Sequence, residues 1–124
     1  MIDLHAHSTA SDGTLSPTDL VALASNEGLS AVALTDHDTV AGLDEAANAA
    51  RAAGVGFVPG IELEVEWKKG VFHMLGLGLE RWTGEVRERL ELALTFRKER
   101  NLAMIDELCR ADIPMTYEEL VRNL

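Results

Sequence analysis

The chain opens with the segment IDLHAHSTASDG, residues 2–13, in which apolar and polar residues alternate before a polar run ends in glycine. Alternation with a period of two is typical of a β-strand, so residues 2–7 are predicted to form a strand and residues 8–13 a loop. Strand residues i and i+2 point to the same face. His5 and His7 are therefore predicted to project side by side, either as two ligands of one divalent metal or, equally often for such a pair, as surface or packed histidines.

A helix and a buried strand are predicted next. Ser16, which is followed by proline, has the character of a helix N-cap, so a first helix is expected to run to about Asn26, with Gly28 as its stop. Residues 31–35 are a short apolar run, typical of a strand buried on both faces of a parallel sheet. The order strand, helix, strand favours a right-handed parallel crossover.

The same order repeats further along the chain. Thr39 is a candidate cap of a second, alanine-rich helix that ends at Gly54, and residues 55–59 form a third predicted strand. Residues 62–67 and 71–79 then have the pattern of a hairpin. The fold class predicted by this order is α/β, with a parallel sheet.

The last third of the chain is predicted to be helical. From Glu85 an apolar stripe drifts around a helix of some 25 residues, and a break at residues 97–101 would fit this drift without being required. Residues 116–119 have the sequence of a capping box, which predicts one more short helix.

Polar residues follow each of the three predicted parallel strands. Asp12 lies in the loop after the first strand, His37 directly after the second, and Glu62 just after the third. The carboxyl ends of parallel strands are where βα folds gather their active-site residues. Packing alone would not place polar groups at all three ends, so these residues are predicted to belong to one site.

His73 is the fourth histidine, in the otherwise apolar second strand of the hairpin. A lone histidine in such a strand is more often a core residue than a ligand. The hairpin folds this strand back beside Glu62, however, so a carboxylate bridging two metals is a further interpretation. All four histidines of the chain then belong to one site.

Charge and cysteine content limit the partners of the chain. Its 124 residues include 21 acidic and 11 basic side chains, for a net charge of −10. This balance counts against binding to long nucleic acids and to anionic membranes. With a single cysteine, Cys109, and neither a signal peptide nor an apolar membrane span in the sequence, a reducing, cytoplasmic location is expected.

Three segments of the chain together resemble a known family. Residues 3–13, 35–38 and 60–62 are similar, in order, to the successive motifs of the PHP (polymerase and histidinol phosphatase) superfamily. The resemblance is strongest to the small bacterial metal-dependent phosphoesterases called TrpH-like or RNase AM-like. It implies a distorted (β/α)7 TIM-like barrel that holds two or three divalent metal ions, which are Mn, Zn, Fe or Mg.

The resemblance also implies roles for individual residues. His5 and His7 would ligate one metal, Asp12 and His37 a second, and His73 a third. Glu62 would bridge the first metal and the third. Asp12 and His37 are the implied catalytic residues. From their position beside His37, Asp36 and Asp38 are predicted either to accept its second ring N–H or to shape the loop, and Asp38 is equally a candidate helix cap.

The family pattern requires a later histidine and a late Asp-x-His pair, but this chain has no histidine after His73. A closed barrel also needs roughly 200 residues or more. We therefore expect the amino-terminal part of a longer protein, with residues 1–82 forming the first three to four strand units of a partial barrel and residues 83–124 a helical cap or insert. A natural short variant completed by a partner chain is the alternative.

Three polar residues of the long predicted helix are candidates for binding a substrate phosphate. They are Arg97, Arg100 and Asn101. An arginine on a cap over the barrel mouth would bind phosphate through two parallel hydrogen bonds. The alternative is a solvated helix face whose arginines pair with neighbouring acids such as Glu99.

The sequence therefore predicts a metal-dependent phosphoesterase. Resemblance to the TrpH-like branch implies nucleoside 3′,5′-bisphosphates or the 5′ ends of short RNA as substrates, and the acidic balance favours small substrates. One alternative is an inactive metal-binding fragment or an oligomerising module, in which copies pair through the exposed edge of the incomplete barrel. Another is an amidohydrolase-like C–N hydrolase, since that class also has an HxH pair on its first strand.

Overall fold

The computed structural model describes residues 1–68 and 70–122. Helices and strands alternate along most of this part of the chain. In chain order the elements are β1 (Ile2–Asp3), α1 (Pro17–Asn26), β2 (Ala31–Leu34), α2 (Leu43–Ala53), β3 (Gly56–Trp67), β4 (Gly70–Leu77), α3 (Glu85–Arg110) and α4 (Tyr117–Arg122). The predicted α/β fold class is confirmed.

The four strands form one sheet in the order β1-β2-β3-β4. β1, β2 and β3 are parallel neighbours, with Val32 opposite Phe57, whereas β4 pairs with β3 in the antiparallel direction, with Glu62 opposite Leu75. The carboxyl ends of the three parallel strands therefore lie at the same edge of the sheet, which is the arrangement that the predicted site requires.

The apolar core is formed by the parallel strands together with α1 and α2. Its fully buried side chains come from these elements and include Val21, Ala24, Val32, Ala33, Leu34, Leu43, Ala46 and Ala50. Glu45 of α2 accepts hydrogen bonds from the Thr18 backbone N–H (3.1 Å) and hydroxyl (2.8 Å), which join α1 to α2. The removal of these apolar side chains from water provides the main stabilisation of this part of the fold.

The helix ends in this part of the chain largely follow the prediction. The Ser16 side chain accepts the Asp19 backbone N–H and so caps α1, which ends at Asn26. Gly28 (φ 72°) then adopts the left-handed conformation, which is available to glycine at little cost. The start of α2 was predicted wrongly. Thr39 instead accepts the Ala41 backbone N–H in a local turn, and the helix begins only at Leu43.

Two strands differ in length from the prediction. β1 ends at Asp3 because the Asp3 side chain, rather than a neighbouring strand, accepts the His5 backbone N–H. The chain nevertheless continues beside β2, since the Thr35 N–H donates to the Ala6 carbonyl (2.8 Å). The predicted third strand and the first hairpin strand form a single twelve-residue strand, β3, whose first residues pair with β2 and whose later residues pair with β4.

The contacts within the chain divide it into two compact units, residues 1–88 and 89–124. The predicted functional division into 1–82 and 83–124 stays a prediction.

α3 is one continuous helix without a break at residues 97–101. α4 begins with the predicted capping box, in which the Thr116 N–H donates to Glu119 (2.8 Å) and the Glu119 N–H donates to the Thr116 hydroxyl (3.2 Å).

Candidate metal centre

A tight loop after β1 holds the first candidate ligands. The backbone N–H groups of Ser11 and Gly13 both donate to the Ser8 carbonyl, at 3.1 and 2.9 Å. A Cβ atom on Gly13 would lie only 2.3 Å from the His7 carbonyl oxygen, so only glycine fits this turn. The turn brings Asp12 back to His7, and their Oδ1 and Nδ1 atoms lie 2.8 Å apart.

Backbone hydrogen bonds bring His37 beside Glu62. The Glu62 N–H donates to the Asp36 carbonyl (3.2 Å), and the Asp38 N–H donates to the Glu62 carbonyl (2.9 Å), so the loop after β2 continues the parallel pairing by one bridge. The Asp38 carboxylate accepts the Glu64 N–H (3.1 Å) from a left-handed backbone conformation (φ 51°). Asp38 therefore lies against β3, and its predicted alternative as a helix cap is wrong.

Glu62 lies at the centre of the cluster and is only 5% exposed. Its Oε2 atom is 3.1 Å from His5 Nε2, 2.9 Å from His7 Nε2 and 3.5 Å from His37 Nε2. These three imidazoles come from the segments that follow β1 and β2, so the parallel sheet alone brings them to one carboxylate oxygen.

His73 approaches the same carboxylate from the other side. In the β3–β4 ladder His73 is opposite Glu64, which places Glu62 one diagonal step away on the same face. His73 Nδ1 lies 3.0 Å from the Oε1 atom of Glu62. The two oxygens of Glu62 therefore face different histidines, which is the geometry expected of a bridging carboxylate.

Three overlapping groups of side chains have ligand atoms within 4.8 Å of one another. They are His5–His7–Glu62, His7–Asp12–His37 and His37–Glu62–His73. Neutral imidazole nitrogens and carboxylate oxygens are the donors preferred by Zn, Mn and Fe. The Nε2 atoms of His5 and His7 lie 3.1 Å apart, so two ring nitrogens converge beside a buried carboxylate. The residues present fit divalent metal ions.

Both carboxylates of the cluster are held in the ionised form. The hydrogen bond with His7 holds the pKa of Asp12 below its ordinary value, and the electrostatic interaction with His37 adds to this effect against a raising contribution from burial. Burial raises the pKa of Glu62, but the hydrogen bond with His5 and the electrostatic interactions with His37, His5 and His7 outweigh it and leave that pKa lowered. Ionised carboxylates are the form that binds cations.

The structure brings six of the predicted site residues together, and three others belong to the second unit. His5, His7, Asp12, His37, Glu62 and His73 all belong to the cluster. Arg97, Arg100 and Asn101 lie on α3 in the second unit, so their predicted contact with substrate stays a prediction.

Sequence reasoning missed two residues that support the cluster. Ser8 is fully buried, and with Ser11 it donates hydrogen bonds to Asp36. The only signal for them was the run of small polar residues in the first loop, a composition shared by many loops of no functional importance. A buried hydroxyl cannot be distinguished from an exposed one in such a run.

The parallel strands bring imidazoles from their carboxyl ends to a buried carboxylate. This arrangement defines the class as an α/β protein with a candidate metal-binding site. A family model described as "PHP domain" matches residues 3–117. The chain therefore belongs to the PHP domain family, and the predicted resemblance is confirmed.

Two relatives in that family carry names that refer to phosphate esters. The chain is 40% identical over 116 residues to a 5′-3′ exoribonuclease of Haemophilus influenzae, a match that covers 94% of this chain and 42% of that protein. It is 46% identical over 79 residues to a 3′,5′-nucleoside bisphosphate phosphatase of Chromobacterium violaceum, which covers 64% and 28% respectively. The chain thus spans less than half the length of these relatives.

Two solved structures superpose on 98% of the chain. One, named an amidohydrolase from Chromobacterium violaceum with bound sulfate, has a TM-score of 0.82 at 37% identity, and 43% of its length is covered. The other, named as a candidate metal-dependent phosphoesterase from Bifidobacterium adolescentis, has a TM-score of 0.80 at 31% identity, and 42% is covered. The predicted fold class, a partial TIM-like barrel with a helical segment, agrees with these superpositions.

Within residues 1–68 and 70–122, none of the helices combines the length and the apolar character that crossing a bilayer requires.

Proposed function

We propose that the protein is a metal-dependent phosphoesterase that acts on small phosphorylated substrates, such as nucleoside 3′,5′-bisphosphates or the 5′ ends of short RNA. The observation that carries the proposal is the presence of three overlapping ligand groups, two of which contain Glu62. Support comes also from the two relatives named as an exoribonuclease and a bisphosphate phosphatase, since both names describe the cleavage of phosphate esters.

The cluster has a buried end and an open end. The Glu62 side chain is 6% exposed, whereas that of Asp12 is 61% exposed. A phosphate ester that arrives from solvent therefore meets Asp12 before Glu62, which supports the catalytic role proposed for Asp12. His37 Nε2 lies 3.6 Å from the Asp12 carboxylate, and we propose that it acts beside it. The net charge of −10 disfavours long nucleic acids and favours a small substrate.

Divalent cations in such a site supply hydroxide near neutral pH and neutralise phosphate oxygens. The chain's own residues orient the site. When His7 Nδ1–H donates to Asp12, the Nε2 atom of His7 carries a lone pair directed towards the His5–Glu62 group. Asp12 thus selects the tautomer in which His7 is a ligand. We propose that the site holds two or three divalent ions, which are Mn, Zn, Fe or Mg.

The proposal is tested on the full-length product of the gene, with Mn²⁺ and either a nucleoside 3′,5′-bisphosphate or a 5′-phosphorylated RNA trinucleotide. We expect release of phosphate or mononucleotide that stops on chelation, and a loss of more than about 100-fold in His37→Ala. Thr39→Ala, two residues away in the same loop, is the matched control and should retain activity.

The outcomes also separate the alternatives. Metal binding by elemental analysis without turnover of either substrate would favour an inactive metal-binding module. Cleavage of an amide in place of the phosphate ester would favour a C–N hydrolase, which the names of the two curated relatives do not support. Phosphate release that persists after chelation would contradict the proposal. A cytoplasmic location, a substrate phosphate bound by Arg97, Arg100 and Asn101, and pairing of copies through the open sheet edge remain subsidiary proposals.

A further inference from the structure

Asp36 is a buried carboxylate directly before His37, and it is only 2% exposed. Its hydrogen bonds extend across to the loop after β1. Oδ1 accepts the Ser8 backbone N–H at 2.7 Å and the Ser11 hydroxyl at 2.6 Å, and Oδ2 accepts the Ser8 hydroxyl at 2.7 Å. One side chain thus joins the end of β2 to the loop that carries Asp12.

These contacts are stronger and more directional than those of an ordinary loop. Hydrogen bonds to a carboxylate are about twice as strong as neutral ones, and burial strengthens them further. The Ser8 hydroxyl in turn accepts the Ala10 N–H (3.2 Å), and the Ser8 carbonyl accepts two further N–H groups of the loop. Movement of Asp36 would therefore be transmitted to the whole turn and to the Asp12 side chain at its end.

The carboxylate is also close-packed. A Cβ atom on Gly42, which precedes α2, would lie 3.2 Å from Asp36 Oδ2 and 3.1 Å from Leu34. Asp36 is thus confined between the start of α2 and the first loop, and it has little freedom to follow a displaced loop.

We propose that Asp36 is a positioning residue: through Ser8 and Ser11 it fixes the first loop, and so holds the His7–Asp12–His37 group in the geometry that binds a metal. The proposal rests on the metal centre of the proposed function. It differs from a general contribution to stability because it concerns one of the three ligand groups. His37–Glu62–His73 contains no residue of this loop.

The test measures Mn²⁺ bound per chain by equilibrium dialysis and elemental analysis over a range of metal concentrations, using the full-length product of the gene. Asp36→Ala should weaken one equivalent of bound metal by about 10- to 100-fold and leave the others near their wild-type affinity. Ser11→Ala, which removes the hydroxyl contacts with Asp36 (2.6 Å) and Asp12 (3.2 Å) and no charge, should weaken the same equivalent by less. Ser11→Thr, which keeps the hydroxyl, should restore it.

Glu45→Ala is the matched control. Like Asp36, Glu45 accepts both a backbone N–H and a hydroxyl from a single residue, Thr18, and it joins two segments. It lies between α1 and α2, outside the metal cluster, so its loss should lower the melting temperature without changing the number or affinity of bound metals. If Asp36→Ala does not fold, the comparison of Ser11→Ala with Ser11→Thr tests the proposal instead.

Two results would overturn the inference. In one, both Asp36→Ala and Ser11→Ala bind every equivalent as the wild type does. In the other, all equivalents weaken together in proportion to the loss of melting temperature, which would reduce Asp36 to a structural residue. A wild-type protein that binds no metal would instead contradict the proposed function itself, together with this inference.

Discussion

The two units of the chain differ most in what they bury. Among the side chains that the structure describes, those of residues 1–88 include nearly all of the buried apolar ones. They also include five buried polar ones, which are Ser8, Thr35, Asp36, Asp38 and Glu62. Among residues 89–120, only Ile105 is buried. A buried polar group is stable only when its hydrogen bonds are satisfied. The first unit can therefore hold polar side chains in fixed geometry, whereas the second presents its polar side chains to solvent.

The largest expected contrast between the units is in stability. Leu34→Ala, at a side chain that is 1% exposed, should lower the free energy of unfolding by about 2–5 kcal/mol, because it leaves a cavity between β2 and the helices. Leu102→Ala on α3, where the side chain is 43% exposed, should cost less than about 1 kcal/mol. Urea unfolding followed by circular dichroism measures both. Equal losses in the two variants would contradict the contrast.

The next contrast concerns two glutamates. Glu62→Gln keeps the volume of the side chain but removes the charge that faces all four histidines, so metal affinity should fall by more than about 100-fold. Glu107→Gln removes an exposed partner of Arg110 and should leave metal affinity unchanged. Isothermal titration with Mn²⁺ distinguishes them. A Glu62→Gln variant with wild-type affinity would exclude Glu62 as a ligand.

A smaller contrast compares the two helix caps. Ser16→Ala removes the acceptor of the Asp19 N–H and should lower the free energy of unfolding of the first unit by about 1 kcal/mol. Thr116→Ala removes the corresponding acceptor at α4, a helix of six residues, and should increase hydrogen exchange locally with little effect on global unfolding. An equal loss of stability in Thr116→Ala and Ser16→Ala would contradict this contrast. It would mean that the second unit unfolds more cooperatively than its exposed side chains indicate.

The smallest effect is a titration. The backbone N–H and the hydroxyl of Thr116 both donate to Glu119 and hold its pKa below the ordinary value of 4.5. A lowered folded-state pKa means that the contribution of this carboxylate is present above pH 4.5 and is lost as the pH falls through the folded-state value. Side-chain NMR should show the lowered pKa, and Thr116→Ala should raise it part of the way, since the backbone N–H remains. A pKa at or above 4.5 would contradict this.

The sequence predicted well wherever a signal was local. The capping residues Ser16 and Thr116, the stop at Gly28 and the buried strand at residues 31–34 all follow from neighbouring residues. Prediction was wrong where a side chain competed for a backbone group. Asp3 ended β1 early, and Thr39 made a turn in place of a helix cap. Such competition depends on distances of a few tenths of an ångström, which a residue pattern does not encode.

The sequence by itself determined the ligand types and their placement after successive strands, because parallel strands end at one edge of a sheet. It also identified the family, through motifs at residues 3–13, 35–38 and 60–62. Only the tertiary structure decided which atoms meet. His73 reaches Glu62 by a diagonal across the β3–β4 ladder, and Asp36 holds a loop 25 residues earlier in the chain. These contacts depend on strand register and on burial, and neither is a property of any single segment.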